Sequence, residues 1–382
     1  MKAPIVFVIL QTGALANGGL QSITEIMRRL KAHRPIVLTN LESPMSRAWR
    51  EAGIDVTVVP EKASTGLARD PVNSLRTYRR YHRALRDLLA STRARVVHAN
   101  DPLAAQLSLS AVKLRRDARI ALNLRDTLDP DRQLSGLTRL KYRMMFDLAD
   151  HVFYLSNDMA ERWRTIAANA TKSCSVTYSI VDPERFAPSP VFANQTPMVL
   201  VPAIFWPKKG QLEFIRHVVP ALAAHGIETR FAGDFDPGTN PYAAECAAAA
   251  EPVADHVRFL GYRSDLTDLF RQASVVAVPS RHEGLMRGMI EAMSCGRPVV
   301  SFDVCSAREV LEDKSSGAGA VVPLGDHAGM ATSLLHFATD KKAQIAAGQA
   351  GSDAARELFD PDRVVERYER VYQELGADRI PA

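Results

Sequence analysis

Short runs rich in Val and Ile alternate along the whole chain with longer segments of helical periodicity. That alternation is what a parallel sheet flanked by helices demands, so it narrows the fold more than any other feature. Strands are expected near 5–10, 36–39, 56–59, 95–98, 120–124, 152–155 and 175–178. A second set is expected near 198–202, 229–232, 257–260, 275–279, 298–302 and 320–322. At 382 residues the chain exceeds what one hydrophobic core usually organises, so two domains follow. The segment 186–197, dense in Pro and small polar residues, is the best linker. The expected division is 1–188 and 189–382. A closing amphipathic helix begins at Asp360-Pro361-Asp362 and carries Val364, Val365, Tyr368, Val371, Tyr372 and Leu375 on one face, which makes it a candidate to pack back on the first domain.

Composition excludes several classes. Apolar residues make up 46% and charged residues 24%, the balance of a globular protein and not of a disordered one. The opening run Ile5–Leu10 is too short for a signal-peptide core or a membrane span, and no later apolar stretch reaches spanning length. The four cysteines lack C-x-x-C spacing, so a zinc site or disulfide framework is not expected, and a reducing cytoplasm is the simplest home. Up to residue 190, 29 Lys and Arg stand against 18 Asp and Glu; beyond it, 19 stand against 25. A basic first half can attract an anionic membrane surface or a lipid-diphosphate acceptor. Solvated arginines on helix faces are the plainer alternative. Nucleic acid is not an expected partner, because the basic residues lack interleaved aromatics.

The chemistry concentrates in Val278-Pro-Ser-Arg-His-Glu283-Gly-Leu-Met-Arg-Gly-Met-Ile-Glu291-Ala-Met-Ser-Cys-Gly296-Arg-Pro298. A buried strand ends at Pro279, a polar loop follows, and a helix is expected from about Leu285 to Cys295. Its amino end, with free N–H groups from Gly284, Leu285, Met286 and Arg287, can hold a diphosphate. Glu283 and Glu291 stand eight residues apart, about 12 Å on a helix, too far for an acid and base acting on one glycosidic bond. They suit the two ends of one long ligand, one gripping sugar hydroxyls and the other ribose hydroxyls.

This pattern resembles the E-x7-E motif of the retaining glycosyltransferases of the GT-B fold, in which two doubly wound Rossmann-like domains face each other across a cleft. Three further segments are similar to that family: Ser179-Ile-Val-Asp182-Pro-Glu-Arg-Phe186-Ala-Pro188, Asn17-Gly18-Gly19 leading into a helix, and Val96-Val-His98-Ala-Asn100-Asp101-Pro102. The resemblance implies a metal-independent hexosyltransferase that needs no cofactor, takes a UDP- or GDP-sugar, and acts on a glycolipid or glycan of the cell envelope, at the inner face of the membrane. It places Glu283 beside the donor sugar, Glu291 at the ribose, Gly18 and Gly19 close to the phosphates, and Lys209 of Trp206-Pro-Lys-Lys-Gly210 on the diphosphate. It also puts His98, Asn100 and Arg125 on the acceptor side. Family histidines are replaced here by Asn100 and Arg125, which leaves Asp101 or Asp126 as the nearest bases, although each also reads as a loop cap.

Two departures stand out. Ile204 occupies the position of a family arginine, and Cys305-Ser306 replace a glycine pair ahead of Glu309. Arg281 or Arg287 are candidates to supply the lost charge. The three D-x-D triplets at 129–131, 234–236 and 360–362 look like turns and a helix start, and no metal ligand is expected among them. A GT-B nucleotide-sugar epimerase and a non-catalytic nucleotide-sugar-binding scaffold are the rival readings.

Overall fold

A computed structural model of the chain describes all residues except 1, 12–17, 61–70, 114, 116, 126–133, 172, 190–195, 264–265, 316 and 378–382. The described residues form two compact units, Met1–Ile180 with Pro361–Ala382, and Val181–Asp360. The first unit thus closes at Ile180, ahead of the proline-rich segment in which the sequence suggests the boundary.

The first unit holds seven parallel strands: β1 (Ala3–Ile9), β2 (His33–Thr39), β3 (Asp55–Val58), β4 (Val96–Ala99), β5 (Arg119–Leu124), β6 (His151–Tyr154) and β7 (Cys174–Val176). Their order is β3-β2-β1-β4-β5-β6-β7. In register, Ile5 pairs with Pro35 on one side and with Val96 on the other. Ile5 to Ile9 are buried without interruption, because helices cover both faces of a doubly wound sheet and leave no polar side for alternation.

The second unit holds β8 (Met198–Pro202), β9 (Glu228–Ala232), β10 (Val257–Phe259), β11 (Val275–Val278), β12 (Val299–Phe302) and β13 (Gly319–Val322). They are parallel in the order β10-β9-β8-β11-β12-β13. Every strand expected from the apolar runs is present, within a few residues at its ends. The order reverses between β1 and β4 in one sheet and between β8 and β11 in the other. Such switch points open a crevice outside the carboxyl ends of the strands, where ligands of this fold class bind.

The closing helix Pro361–Glu374 belongs to the first unit although it follows the second in sequence. Its buried stripe of Val364, Val365, Tyr368, Val371 and Tyr372 joins the core that contains Ile5, Phe7, Ile9 and Trp49. No described helix is long and apolar enough to cross a membrane.

Candidate functional site

At the switch point of the second sheet, the turn after β8 and the loop after β11 are locked together through backbone. Arg281 N–H donates to the Lys208 carbonyl at 2.8 Å. Gly210, in the left-handed region at φ +73°, lies so close to Pro279 that a Cβ there would stand 2.0 Å from the Pro279 carbonyl oxygen. The short 3-10 turn Pro207–Lys209 is thereby aimed at the β11 loop. Lys209 Nζ forms an ion pair with Glu283 Oε1, and both side chains are largely enclosed. Pairing keeps two charges satisfied in a partly dehydrated place where either alone would be costly.

The helix beyond Glu283 runs from Arg287 to Ser294, two residues later than the sequence suggests, with Met286 as its N-cap and no side chain capping it. Glu283 and Gly284 therefore precede the helix, and the separation of the two glutamates is not the continuous helical one. The chain is still extended at Met286 (φ −72°, ψ 107°) because its loop is held from the other side. Cys305 Sγ donates to the Gly284 carbonyl at 2.7 Å and Ser306 Oγ reaches the same oxygen at 3.3 Å. In a planar trans peptide the next N–H points opposite to that carbonyl, so the Leu285 amide is turned away from Cys305-Ser306. No backbone carbonyl among the described residues accepts from the amides of Gly284, Leu285 or Met286. Cys305 itself takes φ +47°, a conformation easy only for glycine, at the place where the family resemblance expects a glycine pair.

Glu291 is 5% exposed, which rules out a solvated helix residue. Burial pushes its carboxyl above the ordinary range, and Arg287, one turn earlier with Nε at 2.6 Å, pulls it partly back. The charge of Arg287 is thus committed to Glu291, which leaves Arg281, exposed at the surface, as the cation without such a commitment of the two weighed for the position of Ile204. Arg287 Nη1 is buried with no hydrogen-bond partner among the described residues. Ile204 and Trp206, both exposed, lead into the turn that carries Lys209. Gly288 was not singled out from sequence. A Cβ there would meet Pro202 Cγ at 2.8 Å, so the helix approaches the end of β8 as closely as it does because this residue is glycine.

In the first unit, the β1–β4 switch point gathers Gly18, Gly19, Asn100 and Asp101. Gly18 and Gly19 open the helix Gly18–Arg29, whereas Asn17 lies outside the described residues. Asn100 N–H donates to the Val8 carbonyl at 3.1 Å, tying the β4 end to β1. Asp101 caps the helix Pro102–Lys113 by accepting from Ala104 N–H at 2.8 Å. The residue is partly exposed while its carboxyl is enclosed, and burial raises that carboxyl to about 6 against the opposing pull of the Ala104 and Leu103 amides. Arg125 follows β5 and donates to Ser179 Oγ at 3.2 Å. Asp126 lies outside the described residues.

His98 requires a correction. The sequence places it at the acceptor side, but it is wholly buried, its ring packed among Phe7, Phe153 and Tyr368 and its Nδ1 2.8 Å from the Tyr372 hydroxyl. Burial holds its pKa down at about 3, with Arg125 adding to the effect, so it is a neutral core residue that anchors the closing helix. Of the acidic triplets, 129–131 lies outside the described residues. Asp236 and Asp234 accept from the Gly238 and Phe205 amides, and Asp362 pairs with Lys31. Among the described residues no group of three His, Cys, Asp or Glu is placed to hold a metal ion.

Comparison with known proteins places both units in one family. Residues 17–176 match the glycosyl transferase 4-like domain and residues 196–340 match glycosyl transferases group 1. The phosphatidyl-myo-inositol mannosyltransferase of Mycolicibacterium smegmatis is 27% identical over 312 residues, 78% of this chain and 76% of its own length. The N-acetyl-alpha-D-glucosaminyl L-malate synthase of Bacillus anthracis is 25% identical over 126 residues, so the match spans only 33% of this chain and 32% of that relative. Anabaena HepE, solved in complex with UDP, superposes with a TM-score of 0.78 at 21% identity, over 98% of this chain and 100% of its own. With one domain model on the first sheet, the other on the second, and a GT-B structure matching nearly end to end, the chain belongs to the glycosyltransferases of group 1 with a family 4-like amino-terminal domain.

Proposed function

We propose that this protein transfers a hexose-type sugar from a UDP- or GDP-sugar to a hydroxyl of a glycolipid or glycan acceptor, with retention at the anomeric carbon and without a metal ion. The observation that carries the reading is the enclosed Lys209–Glu283 pair at the β8–β11 switch point, beside a helix end that no side chain caps. An incoming diphosphate supplies the negative charge that frees Glu283 from Lys209. The carboxylate can then accept hydrogen bonds from sugar hydroxyls, while the amides of Gly284 to Arg287 face the phosphates. Glu291, steered by Arg287, takes the ribose. The bond from the anomeric carbon to the phosphate oxygen breaks, the bond to the acceptor oxygen forms, and the acceptor proton passes to the departing diphosphate. Lys209 stabilises the charge that grows on that diphosphate. The lipid acceptor named for the mycobacterial relative and the UDP bound by HepE support the substrate classes. Acceptor-side contacts fall to Asn100, Asp101 and Arg125 of the first unit.

The test has two stages. A panel of nucleotides and nucleotide sugars is screened for a rise in melting temperature, since a ligand of the native state stabilises according to its affinity. With the donor so found, Glu283→Gln is expected to lower kcat by about 100-fold or more while nucleotide binding persists. Wild-type turnover by that variant overturns the assignment. An isomerised sugar formed from donor alone replaces transfer with epimerisation.

A further inference from the structure

We propose that Cys305 and Ser306 are positioning residues for the donor's diphosphate: by holding the Gly284 carbonyl from behind, they fix the direction of the Leu285 amide that meets the phosphate. The loop between β11 and the helix Arg287–Ser294 is held at both ends. At its start, Arg281 N–H donates to the Lys208 carbonyl at 2.8 Å. At its far end the holds come from β12 and the loop after it. Cys305 Sγ donates to the Gly284 carbonyl at 2.7 Å, Ser306 Oγ reaches the same oxygen at 3.3 Å, and Ser301 Oγ lies 3.8 Å from Met286 Sδ. A carbonyl oxygen has two lone pairs, so the thiol and the hydroxyl together occupy it. Cys305 and Ser306 are both buried, and turning the Gly284–Leu285 peptide breaks both bonds at once.

The thiol is not there for the sake of its own turn. Cys305 stands at φ +47°, where any L side chain is strained, and such strain persists only where the surroundings impose it. A glycine would take the same turn without strain, but it could not reach Gly284. The side chain's contribution is therefore the bond it makes to the neighbouring loop. That bond has a directional consequence, because the Leu285 N–H points opposite to the Gly284 carbonyl. Two donors on one carbonyl also polarise the peptide and strengthen its N–H as a donor. The amides of Gly284, Leu285 and Met286 have no backbone acceptor among the described residues, and no side chain caps the helix that follows.

This inference deepens the proposed function and rests on it for the identity of the anion. Charge on the diphosphate grows as the bond to the anomeric carbon breaks, so a fixed amide contributes more to the transition state and to the released nucleoside diphosphate than to the intact donor. The hold on Gly284 should accordingly appear in kcat and in the affinity for UDP or GDP, and little in the donor KM.

The test is Cys305→Gly/Ser306→Ala, which keeps the left-handed turn and removes both donors. With the donor found by thermal shift, kcat is expected to fall about tenfold or more while the donor KM stays within about threefold. By calorimetry, without any turnover, UDP or GDP should bind about tenfold more weakly, whereas UMP or GMP, which lack the second phosphate, should bind as to wild type. Cys305→Ser, whose hydroxyl can still donate to Gly284, is expected to stay within about threefold of wild type in each measurement. A circular dichroism melt shows that the variants fold. Each single variant, Cys305→Gly or Ser306→Ala, should show the same pattern in smaller degree and carries the test if the pair does not fold. Unchanged kcat and diphosphate affinity overturn the proposal, even if the melt is lowered, and so does an equal loss for mono- and diphosphate. A wild-type chain that binds neither UDP nor GDP overturns both readings. The expected split between di- and monophosphate without any sugar transfer refutes only the proposed function.

Discussion

Asp101→Asn tests in one substitution whether this carboxyl is a helix cap or a proton acceptor. Its pKa is raised to about 6 from 3.8 by burial. Between those values the native state holds a proton that the unfolded chain has lost, so stability falls as pH rises through this window and the full penalty is present above it. Two units at about 1.4 kcal/mol each set the penalty near 3 kcal/mol. Asparagine keeps the shape and can still accept from Ala104 N–H, so the cap survives. The variant should therefore be about 2–3 kcal/mol more stable than wild type at pH 8, with the gain shrinking toward zero near pH 4. Urea unfolding followed by tryptophan fluorescence reads this unit, because Trp49 and Trp163 are buried in it whereas Trp206 is exposed in the other. A variant no more stable at pH 8, or a gain indifferent to pH, refutes the burial argument. Activity decides the rest: a stabilised variant that loses about 100-fold or more in rate makes Asp101 a proton acceptor, and unchanged rate leaves it a cap.

Two further outcomes follow from buried charge. His98 and His151 are held neutral by burial, at about 3 and about 4 against an ordinary 6.5, so the stability they carry is complete above pH 6.5 and is lost as pH falls. By pH 5 the first unit should have lost about 4 kcal/mol in an Asp101→Asn background, where the carboxyl no longer opposes the trend. His151→Gln should remove about half of that slope in an acid titration, and an unchanged slope would count against it. In the second unit, Arg287→Met strands Glu291 and should lower stability by about 2–3 kcal/mol at neutral pH, the lower end for a broken buried pair because Arg287 reaches solvent. Burial raises the Glu291 carboxyl, so the loss should shrink as pH is lowered and the group protonates; a melting difference that stays constant with pH speaks against the pairing.

The sequence by itself determined the two parallel sheets, because runs such as Val96-Val97 and Val275-Val276 are apolar on both faces and can only be central strands. It determined the family as well, since Glu283, Glu291 and Lys209 stand at the spacings that mark it. Only the tertiary structure decided what those residues meet. The helix after Glu283 starts late because Cys305 and Ser306, distant in sequence, hold the Gly284 carbonyl. His98 is removed from the surface because the closing helix, arriving from the far end of the chain, lays Tyr368 and Tyr372 over it. Periodicity records what a residue prefers locally; burial and pairing depend on what the rest of the chain brings to the same place.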